Sequence, residues 1–553
     1  MKLWCKKIWK GAWVVVAVVG VGALSFWLRT FPYEQVFLNN TVAYADGDCY
    51  LWLQRAQASR EHFGRGLHQH SFENHPEGTS PHTTLVFDHV LVVFDWMLGG
   101  FAPEQYDRLA WSAAWVGPVL QSFFLMLLTA ALLRWGWPGS WLWPVLLAVS
   151  PPVVWTGVLG RPDHQALLVS LLFAVGAIRV AKLSVVRRQA WWGGLEGAVW
   201  GVLIWTSLLE PVLSGAILAL GWFLGRKIFK FKGEKQKHWW VAWLVAGLVL
   251  LVALQREGVR LTLPGSDPWF AIWARQLGEL QPSSLLGFLV ALGYLPLLVL
   301  TVLIAARWLG RPEHLRQSSA LLWLLSSLCL GCVLLILAWQ QQRWMPYAVV
   351  WLAPALSWGL GRLAGSRWQV GVVAAALLCL WPMGKEWYGL KRPSLERESR
   401  MAWQAYQHQE LAAVARALRD QTSDGDLPRG LMTPFWWAPA WAWHTGKPAV
   451  AGTSHQSLSG IVDSLRFFAS EDEAEAAEYL FARQVRWVIV GLDQEMVQSS
   501  EAFFEQTLSE HAMARILWNK PQILPIFLMT VHQGQAWRVY EVDFEALAWI
   551  RNQ

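Results

Sequence analysis

Long apolar runs recur through the first 384 residues, and they decide what this chain can fold into. The chain has 553 residues, of which 54% are hydrophobic and only 15% charged. Several runs reach the about 20 residues that a helix needs to cross a bilayer. Many of the 41 tryptophans lie at the ends of these runs, as interfacial anchors do. The sequence therefore predicts a polytopic α-helical membrane protein with about 11–13 spans. Candidate spans lie at about 11–28, 110–133, 140–158, 164–181, 190–206, 211–225, 239–256, 285–306, 318–339, 344–361 and 368–384.

The basic residues indicate how the spans are oriented. Lysine and arginine concentrate in alternate gaps, starting with Lys2, Lys6, Lys7 and Lys10 and again in 226–237. By the positive-inside rule these gaps are cytoplasmic, which predicts a plasma (inner) membrane protein with its N-terminus inside. The N-terminal run lacks a good small-residue cleavage site, so we expect a retained signal anchor. Topology also explains the net charge of +7 better than nucleic-acid binding does, so no nucleic-acid partner is expected.

Two regions are not membrane spans. The first external gap, 29–109, is longer than a simple connector and is therefore expected to be functional. The apolar runs stop after Trp381, which divides the chain into a transmembrane domain, 1–384, and a soluble domain, 385–553. Within the soluble part 471–483 is typical of an exposed helix and 485–490 of a strand. We predict a mixed α/β C-terminal domain that is extracytoplasmic.

Three acidic residues far apart in sequence fall on the same outer face in this topology. They are Asp48, Asp163 and Glu279, each within a short polar patch. Because carboxylates are scarce in such an apolar chain, a shared metal or acid/base site is indicated. Each also has a plainer interpretation: an exposed turn around Asp48, a helix cap at Asp163 and a surface glutamate. Either Asp46 or Asp48 is suited to bind a cation, and Asp48 is preferred.

Further polar and aromatic residues add to this pattern. Asp163, His164 and Gln165 offer three oxygen or nitrogen donors in a row to one cation. Arg343 starts an apolar run, where a guanidinium suits a phosphate or pyrophosphate group, or snorkels toward water. Trp436 and Trp437 are suited to forming a substrate wall or to packing in the core.

Taken in order, these patches resemble the catalytic subunit family of the oligosaccharyltransferases, membrane glycosyltransferases of the C superfamily. The resemblance spans nearly the whole chain and rests on five motifs in the family's order. The matching residues are Asp48 with Tyr50, Trp52 and Arg55; Asp163-His164-Gln165; 276–279 with Gln281-Pro282; Arg343; and Trp436-Trp437 with 445–448.

The resemblance implies a role for each matched residue. Asp48 and Asp163, with His164 and Gln165, would hold Mg²⁺ or Mn²⁺ against the leaving pyrophosphate of a polyprenyl-linked glycan. Asp48, Asp163 and Glu279 would be the catalytic set, with Glu279 binding the metal or polarising the acceptor. Four residues would contact substrate, with Arg343 on the lipid phosphate: Arg343, Arg55, Trp436 and Trp437.

Two residues depart from the family's motifs. Gln165 stands where an acid or histidine is usual, which weakens the expected metal site. Ala438 stands where the family has the aspartate that binds the Ser/Thr of the Asn-x-Ser/Thr sequon. The acceptor is therefore expected to be a protein or another glycan, and whether it is an Asn-x-Ser/Thr sequon stays open.

The sequence thus predicts a glycosyltransferase in a lipid bilayer that uses a polyprenyl-(pyro)phosphate donor on the outer membrane face. Three alternatives stay open: a single-sugar transferase with a polyprenyl-monophosphate donor, a transporter, and an inactive scaffold. A transporter would place ionisable groups near the bilayer midplane. Glu210, directly before Pro211, lies at a span's end rather than near the midplane.

Overall fold

The computed structural model describes residues 2–64, 67–81, 84–137, 139–184, 189–228, 239–257, 267–285, 287–288, 319–364, 381, 384–420 and 430–551. The α-helices in chain order are α1 Lys2–Arg29, α2 Tyr33–Val36, α3 Gly47–Glu61, α4 Leu85–Leu98, α5 Arg108–Ala114, α6 Val116–Arg134, α7 Leu142–Val149, α8 Pro151–Trp155, α9 His164–Ser184, α10 Gln189–Thr206, α11 Leu209–Ile228, α12 Trp239–Glu257, α13 Pro268–Gln276, α14 Ser319–Gln340, α15 Met345–Ala364, α16 Leu395–Asp420, α17 Ala438–Thr445, α18 Leu458–Ala469, α19 Glu473–Ala482, α20 Asp493–Phe504, α21 Met513–Asn519 and α22 Phe544–Arg551.

The strands of the described residues form two sheets. They are β1 Phe37–Leu38, β2 Thr41–Val42, β3 Gly430–Met432, β4 Val485–Val490, β5 Leu528–Gln533 and β6 Arg538–Val542. The first two pair as a small antiparallel hairpin, and the other four form a sheet in the order β3-β4-β6-β5. In that sheet β3 runs parallel to β4, whereas β6 is antiparallel to both of its neighbours.

Six helices among the described residues are long and apolar enough to cross a membrane. They are Ala12–Arg29, Arg108–Arg134, His164–Ser184, Leu209–Lys227, Trp240–Glu257 and Leu322–Gln340. All six coincide with predicted spans. Helices α10 and α15 coincide with two further predicted spans, 190–206 and 344–361. The spans predicted at 285–306 and 368–384 lie mostly outside the described residues.

The span predicted at 140–158 is not one helix. The segment forms α7 and α8, which are separated at Ser150. Pro151 and Pro152 follow at once, and a proline lacks the N–H that would continue the hydrogen-bond ladder from α7. Because a residue before proline avoids helical angles, the first helix ends at this point.

The chain divides into two compact units. The first contains Met1–Tyr33, Trp115–Gly258 and Gly278–Ser394, and the second contains Glu34–Ala114, Val259–Leu277 and Leu395–Gln553. The first unit is built from the long apolar helices. The second contains both sheets, so the C-terminal region is a mixed α/β domain as predicted.

The core of the second unit lies around its four-stranded sheet. β4 matches the predicted strand 485–490, and five of its six side chains are buried because helices cover the sheet. The predicted helix at 471–483 is α19, capped at its N-terminus by Asp472. The tryptophan pair Trp441 and Trp537 is fully buried, with ring centroids 5.3 Å apart.

The long first gap is an integral part of this second unit. The segment 70–79 lies against the C-terminal region, where the Ala449 N–H donates to the Phe72 carbonyl at 2.9 Å. The His75 N–H donates back to the Ala449 carbonyl at 3.0 Å. Side chains reinforce these bonds, since the Ser454 hydroxyl donates to the buried Glu73 carboxylate at 3.0 Å.

Candidate active site

Asp163 lies at the N-terminus of α9 in the first unit. The chain turns into the helix through Gly160, whose φ of +75° lies in the left-handed region that favours glycine. The Gln165 N–H donates to Asp163 Oδ1 at 3.3 Å and the Ala166 N–H to its carbonyl at 3.0 Å, so Asp163 does cap the helix. Its carboxylate also lies 2.6 Å from His164 Nδ1. The cap interpretation and the site interpretation therefore apply to the same residue.

Glu279 reaches this helix end from a loop. The Gln165 side-chain amide donates to Glu279 Oε2 at 3.3 Å, although 114 residues separate the two. The Glu279 segment, a single 3-10 turn, is fixed to the end of α14. There the Ser283 N–H donates to the Trp339 carbonyl at 3.0 Å, and the Gln342 N–H donates to the Gln281 carbonyl at 3.2 Å.

Arg343 joins the cluster through an acid that the sequence interpretation did not assign to the site. Its guanidinium forms an ion pair with Glu210, and the Ser207 hydroxyl donates to the same carboxylate. Glu210 lies in the first turn of α11, where the helix dipole favours a negative charge, and only 3% of it is exposed. Pro211 beside it is typical of a helix start. An acid directly before a proline at a span's end is the sequence signal for this residue.

The charged groups in this cluster stabilise each other's ionised forms. Burial raises the pKa of the Asp163 carboxyl, but attraction to His164 and Arg161, with the bonds it accepts, lowers that pKa to about 2. Burial lowers the pKa of Arg343, but Glu210 and then Glu279 outweigh it and raise the pKa above its ordinary value. Asp163 is therefore an anion, and Arg343 a cation, at any physiological pH.

Asp48 belongs to the second unit, in the first turn of α3. Its neighbour Asp46 is the N-cap, because the Cys49 N–H donates to Asp46 Oδ1 at 3.1 Å, and both aspartates are exposed. Gly47 between them is buried against the Trp436 backbone: a Cβ on Gly47 would lie 2.9 Å from the Trp436 carbonyl oxygen. A glycine is therefore required here, and it brings the Asp48 turn next to the Trp436-Trp437 segment.

Arg55 is held inside the second unit. Its guanidinium lies 2.8 Å from the Asp88 carboxylate and stacks over the Trp52 ring at 4.6 Å. The Arg55 side chain is only 4% exposed and the Asp88 side chain is fully buried. In this state Arg55 fixes α3 to α4, and the structure places no open surface around it.

Trp436 and Trp437 are half-buried at the start of α17. The Trp437 ring lies 5.0 Å from both the His408 and the Trp537 rings, and Trp436 lies 4.9 Å from Phe435. These contacts favour core packing for one side of each indole. Ala438, which stands where the oligosaccharyltransferase motif has an aspartate, is fully buried, so this position does not face solvent.

The donor types of the cluster in the first unit fit a divalent cation. Asp163 and Glu279 supply carboxylates and Gln165 a carbonyl oxygen, the ligands that Mg²⁺ and Mn²⁺ prefer, and His164 adds an imidazole. In the arrangement seen, Gln165 and Glu279 bond to each other. Within the described ranges no three His, Cys, Asp or Glu side chains converge closely enough to hold an ion as they stand.

Comparison with solved structures decides the fold. The archaeal oligosaccharyltransferase AglB from Archaeoglobus fulgidus, in complex with an inhibitory peptide and a dolichol-phosphate, has a TM-score of 0.68. It is 14% identical and is matched over 97% of this chain and 74% of its own. The same organism's enzyme in complex with Zn and sulfate has a TM-score of 0.62 at 14% identity, over 91% of this chain and 71% of its own. ArnT from Cupriavidus metallidurans bound to undecaprenyl phosphate has a TM-score of 0.51 at 13% identity, over 96% of this chain and 98% of its own.

The chain has the fold of these oligosaccharyltransferase and ArnT structures. No protein-family profile and no curated protein sequence matches it. At 13–14% identity the likeness establishes the fold alone. The predictions of an oligosaccharyltransferase-like fold and of a polytopic helical membrane protein with a C-terminal mixed α/β domain are confirmed at that level.

Proposed function

We propose that this protein is a membrane glycosyltransferase that transfers sugar from a polyprenyl-(pyro)phosphate donor to a protein or glycan acceptor. The observation that carries the proposal is the cluster of Asp163, His164, Gln165, Glu279 and Arg343 at adjoining helix ends in the first unit. Acids paired with an arginine at span ends suit an anionic lipid-linked substrate. The dolichol-phosphate and undecaprenyl phosphate in the similar structures support this donor class.

The residues divide between leaving group and acceptor. Asp163, His164 and Gln165, together with Asp48, would hold Mg²⁺ or Mn²⁺, which offsets the charge that builds up on the departing phosphate. The Zn in one similar structure supports a divalent ion in this fold. Arg343 would bind the lipid phosphate, and Glu279 would bind the ion or polarise the acceptor.

The buried Ala438 offers no carboxylate to a sequon hydroxyl, so the acceptor need not be an Asn-x-Ser/Thr peptide. Trp436 and Trp437 would contribute their exposed edges to acceptor binding. In this proposal the active face is the outer one, with the N-terminus cytoplasmic.

A second candidate is a single-sugar transferase with a polyprenyl-monophosphate donor. It is favoured by one observation: the ArnT structure bound to undecaprenyl phosphate is matched over nearly the whole of both chains. The AglB structures are matched over about three quarters of their length, so they contain a part that this chain does not match. This candidate would be favoured if the purified protein consumed a polyprenyl-monophosphate donor faster than a polyprenyl-pyrophosphate donor.

The deciding experiment separates the two roles of Asp163. Asp163→Ser keeps a capping hydroxyl but removes the carboxylate, whereas Asp163→Ala removes both. We expect Mn²⁺-dependent consumption of a polyprenyl-pyrophosphate glycan by the wild type and at least a roughly hundredfold loss in both variants, since each lacks the charge-stabilising group. Both variants should lower the melting temperature because both lose the ionised carboxylate, and Asp163→Ala should lower it further because it also loses the cap.

The matched control is Asp267→Ala, which removes a helix cap of the same kind outside the cluster. There the Trp269 N–H donates to Asp267 Oδ1 at 2.8 Å. Full activity in Asp163→Ser would show that the residue is only a cap. The pH profile gives a second check, because a carboxyl with a pKa near 2 stays ionised throughout the assay range. The stability that it contributes is present above the unfolded-state pKa of 3.8 and is lost only as the pH falls toward 2.

A further inference from the structure

An open groove with a volume of about 300 Å³ lies at the end of α1 and is lined by none of the candidate active-site residues. One wall is the last part of α1 with Phe31, and the other is the helical stretch 384–391, with Val149 at the base. Almost all of the lining surface is apolar. The described residues that line it are Leu24, Trp27, Leu28, Phe31, Val149, Gly384, Trp387, Tyr388, Leu390 and Lys391.

The groove lies at the level where a bilayer changes from hydrocarbon to headgroups. The first candidate span runs from Ala12 to Arg29, so Leu24 and Leu28 lie within its last turns. Phe31 follows the span, and Trp27 is close to its end. A tryptophan at such a boundary is typical of the membrane–water interface. One end of the groove therefore faces acyl chains and the other faces phosphates.

The headgroup end has a fixed cation. Lys391 Nζ lies 3.6 Å from the centroid of the Trp27 ring, a cation–π contact that keeps the ammonium at the groove's mouth. The opposite wall is also fixed, because the Trp387 indole N–H donates to the Val149 carbonyl at 2.9 Å. Arg392 adds a second positive charge next in sequence, and none of the described lining residues is acidic.

We infer that this groove binds one acyl chain of an anionic glycerophospholipid, with Lys391 against its phosphate. A volume near 300 Å³ is at the low end for a ligand pocket, which suits a chain better than a whole lipid. The apolar walls exclude a sugar or a free phosphate from the groove, and the lysine selects among lipids by charge. The groove shares no residue with the donor site, so this lipid is a bound component distinct from the substrate.

The test compares lipids that differ only in headgroup. Purified full-length protein is mixed with phosphatidylglycerol or phosphatidylethanolamine carrying identical acyl chains, and bound lipid is counted by native mass spectrometry. The wild type is expected to retain phosphatidylglycerol preferentially. Lys391→Glu should reduce that retention at least about fivefold, since one basic residue near a membrane surface contributes about that factor.

Two further variants control the result. Lys385→Glu makes the same charge change in the same helical stretch but outside the groove's lining, and it should retain phosphatidylglycerol like the wild type. Leu24→Trp fills the groove and should reduce retention of both lipids. Both charge variants alter exposed side chains, so their melting temperatures should match the wild type.

The inference is overturned if Lys391→Glu retains as much phosphatidylglycerol as the wild type, or if Lys385→Glu loses as much as Lys391→Glu. Equal retention of phosphatidylglycerol and phosphatidylethanolamine by the wild type would also overturn it. A third arm offers polyprenyl phosphate to the same variants. Displacement of phosphatidylglycerol by this lipid, prevented by Leu24→Trp, would assign the groove to the donor's chain instead.

Discussion

Glu210 shows what sequence patterns reveal about a single residue and what they leave out. Asp163, Glu279 and Arg343 were predicted from their polar surroundings, and the structure brings all three together in the first unit. Glu210 was considered only against the transporter alternative, as an acid at a span's end, and was not assigned to the site. Its partner Arg343 is 133 residues away, and no local pattern encodes a pairing over that distance.

The Glu210–Arg343 pair leads to a prediction about anion binding. Glu210→Gln keeps the shape but removes the competing negative charge, so Arg343 should bind inorganic pyrophosphate more tightly. The variant should also lose about 1.5–3 kcal/mol of unfolding free energy, the usual value for a hydrogen bond to a charged group. Arg343→Leu should abolish pyrophosphate binding and destabilise by more, since it leaves Glu210 buried and unpaired. Isothermal titration calorimetry and thermal unfolding in detergent measure the two effects.

Glu196 provides the matched control for this experiment. It is equally buried, it pairs with Arg179 and with Lys182 at 3.0 Å, and it lies in α10 outside the cluster. Glu196→Gln should lower stability to a similar degree and leave pyrophosphate binding unchanged. Weaker pyrophosphate binding in Glu210→Gln would show instead that Glu210 orients Arg343 for the ligand.

At the scale of elements, the segment 70–79 is held to the C-terminal region by Arg483. The guanidinium of Arg483 lies 2.6 Å from Glu77 and 2.7 Å from Asp463, and its side chain is only 8% exposed. Asn74 adds a bond that it accepts from the Gly460 N–H at 3.1 Å. Helix α19 and strand β4 were predictable because their sequence patterns are local. The helix is rich in charged residues, and the strand is rich in β-branched ones. The docking of 70–79 was not, because its contacts join residues about 400 positions apart.

This arrangement predicts a localised effect of Arg483→Met. Loss of its buried ion pairs should let the segment open, and amide hydrogen exchange at Gly78 and Thr79 should accelerate roughly tenfold or more, in line with a charged hydrogen bond. Arg486→Met is the control, because Arg486 pairs with Glu541 at 3.1 Å and bonds to no residue of the segment among its described contacts. Equal exchange in the two variants would show that the backbone bonds alone hold the segment.

At the scale of the whole molecule, the second unit is assembled from three stretches of chain. Glu34–Ala114, Val259–Leu277 and Leu395–Gln553 contribute to it, and candidate membrane helices lie between them in sequence. Composition alone predicted where the apolar runs stop and hence the soluble region. It did not predict that the first gap packs against that region, since no local pattern in 29–109 indicates which distant residues it contacts. The division at 384/385 remains a prediction.

The interleaving predicts that the C-terminal region is incomplete by itself. Expressed alone, 395–553 should lack cooperative thermal unfolding by circular dichroism, because partners of Ser454, Ala449 and Pro439 are missing. Fusing 34–114 to it through a flexible linker should restore a cooperative transition. A cooperative transition at the same temperature without 34–114 would contradict this.

The three-part construction of the second unit also sets an order of events during synthesis. Residue 114 leaves the ribosome roughly 280 residues before residue 395 does. At about 5–20 residues per second that interval lasts roughly 15–55 s. During this time Phe72, Glu73 and Asn74 have been made, but their C-terminal partners Ala449, Ser454 and Gly460 have not. The newborn first loop therefore passes this interval without the C-terminal region against which it packs in the finished protein.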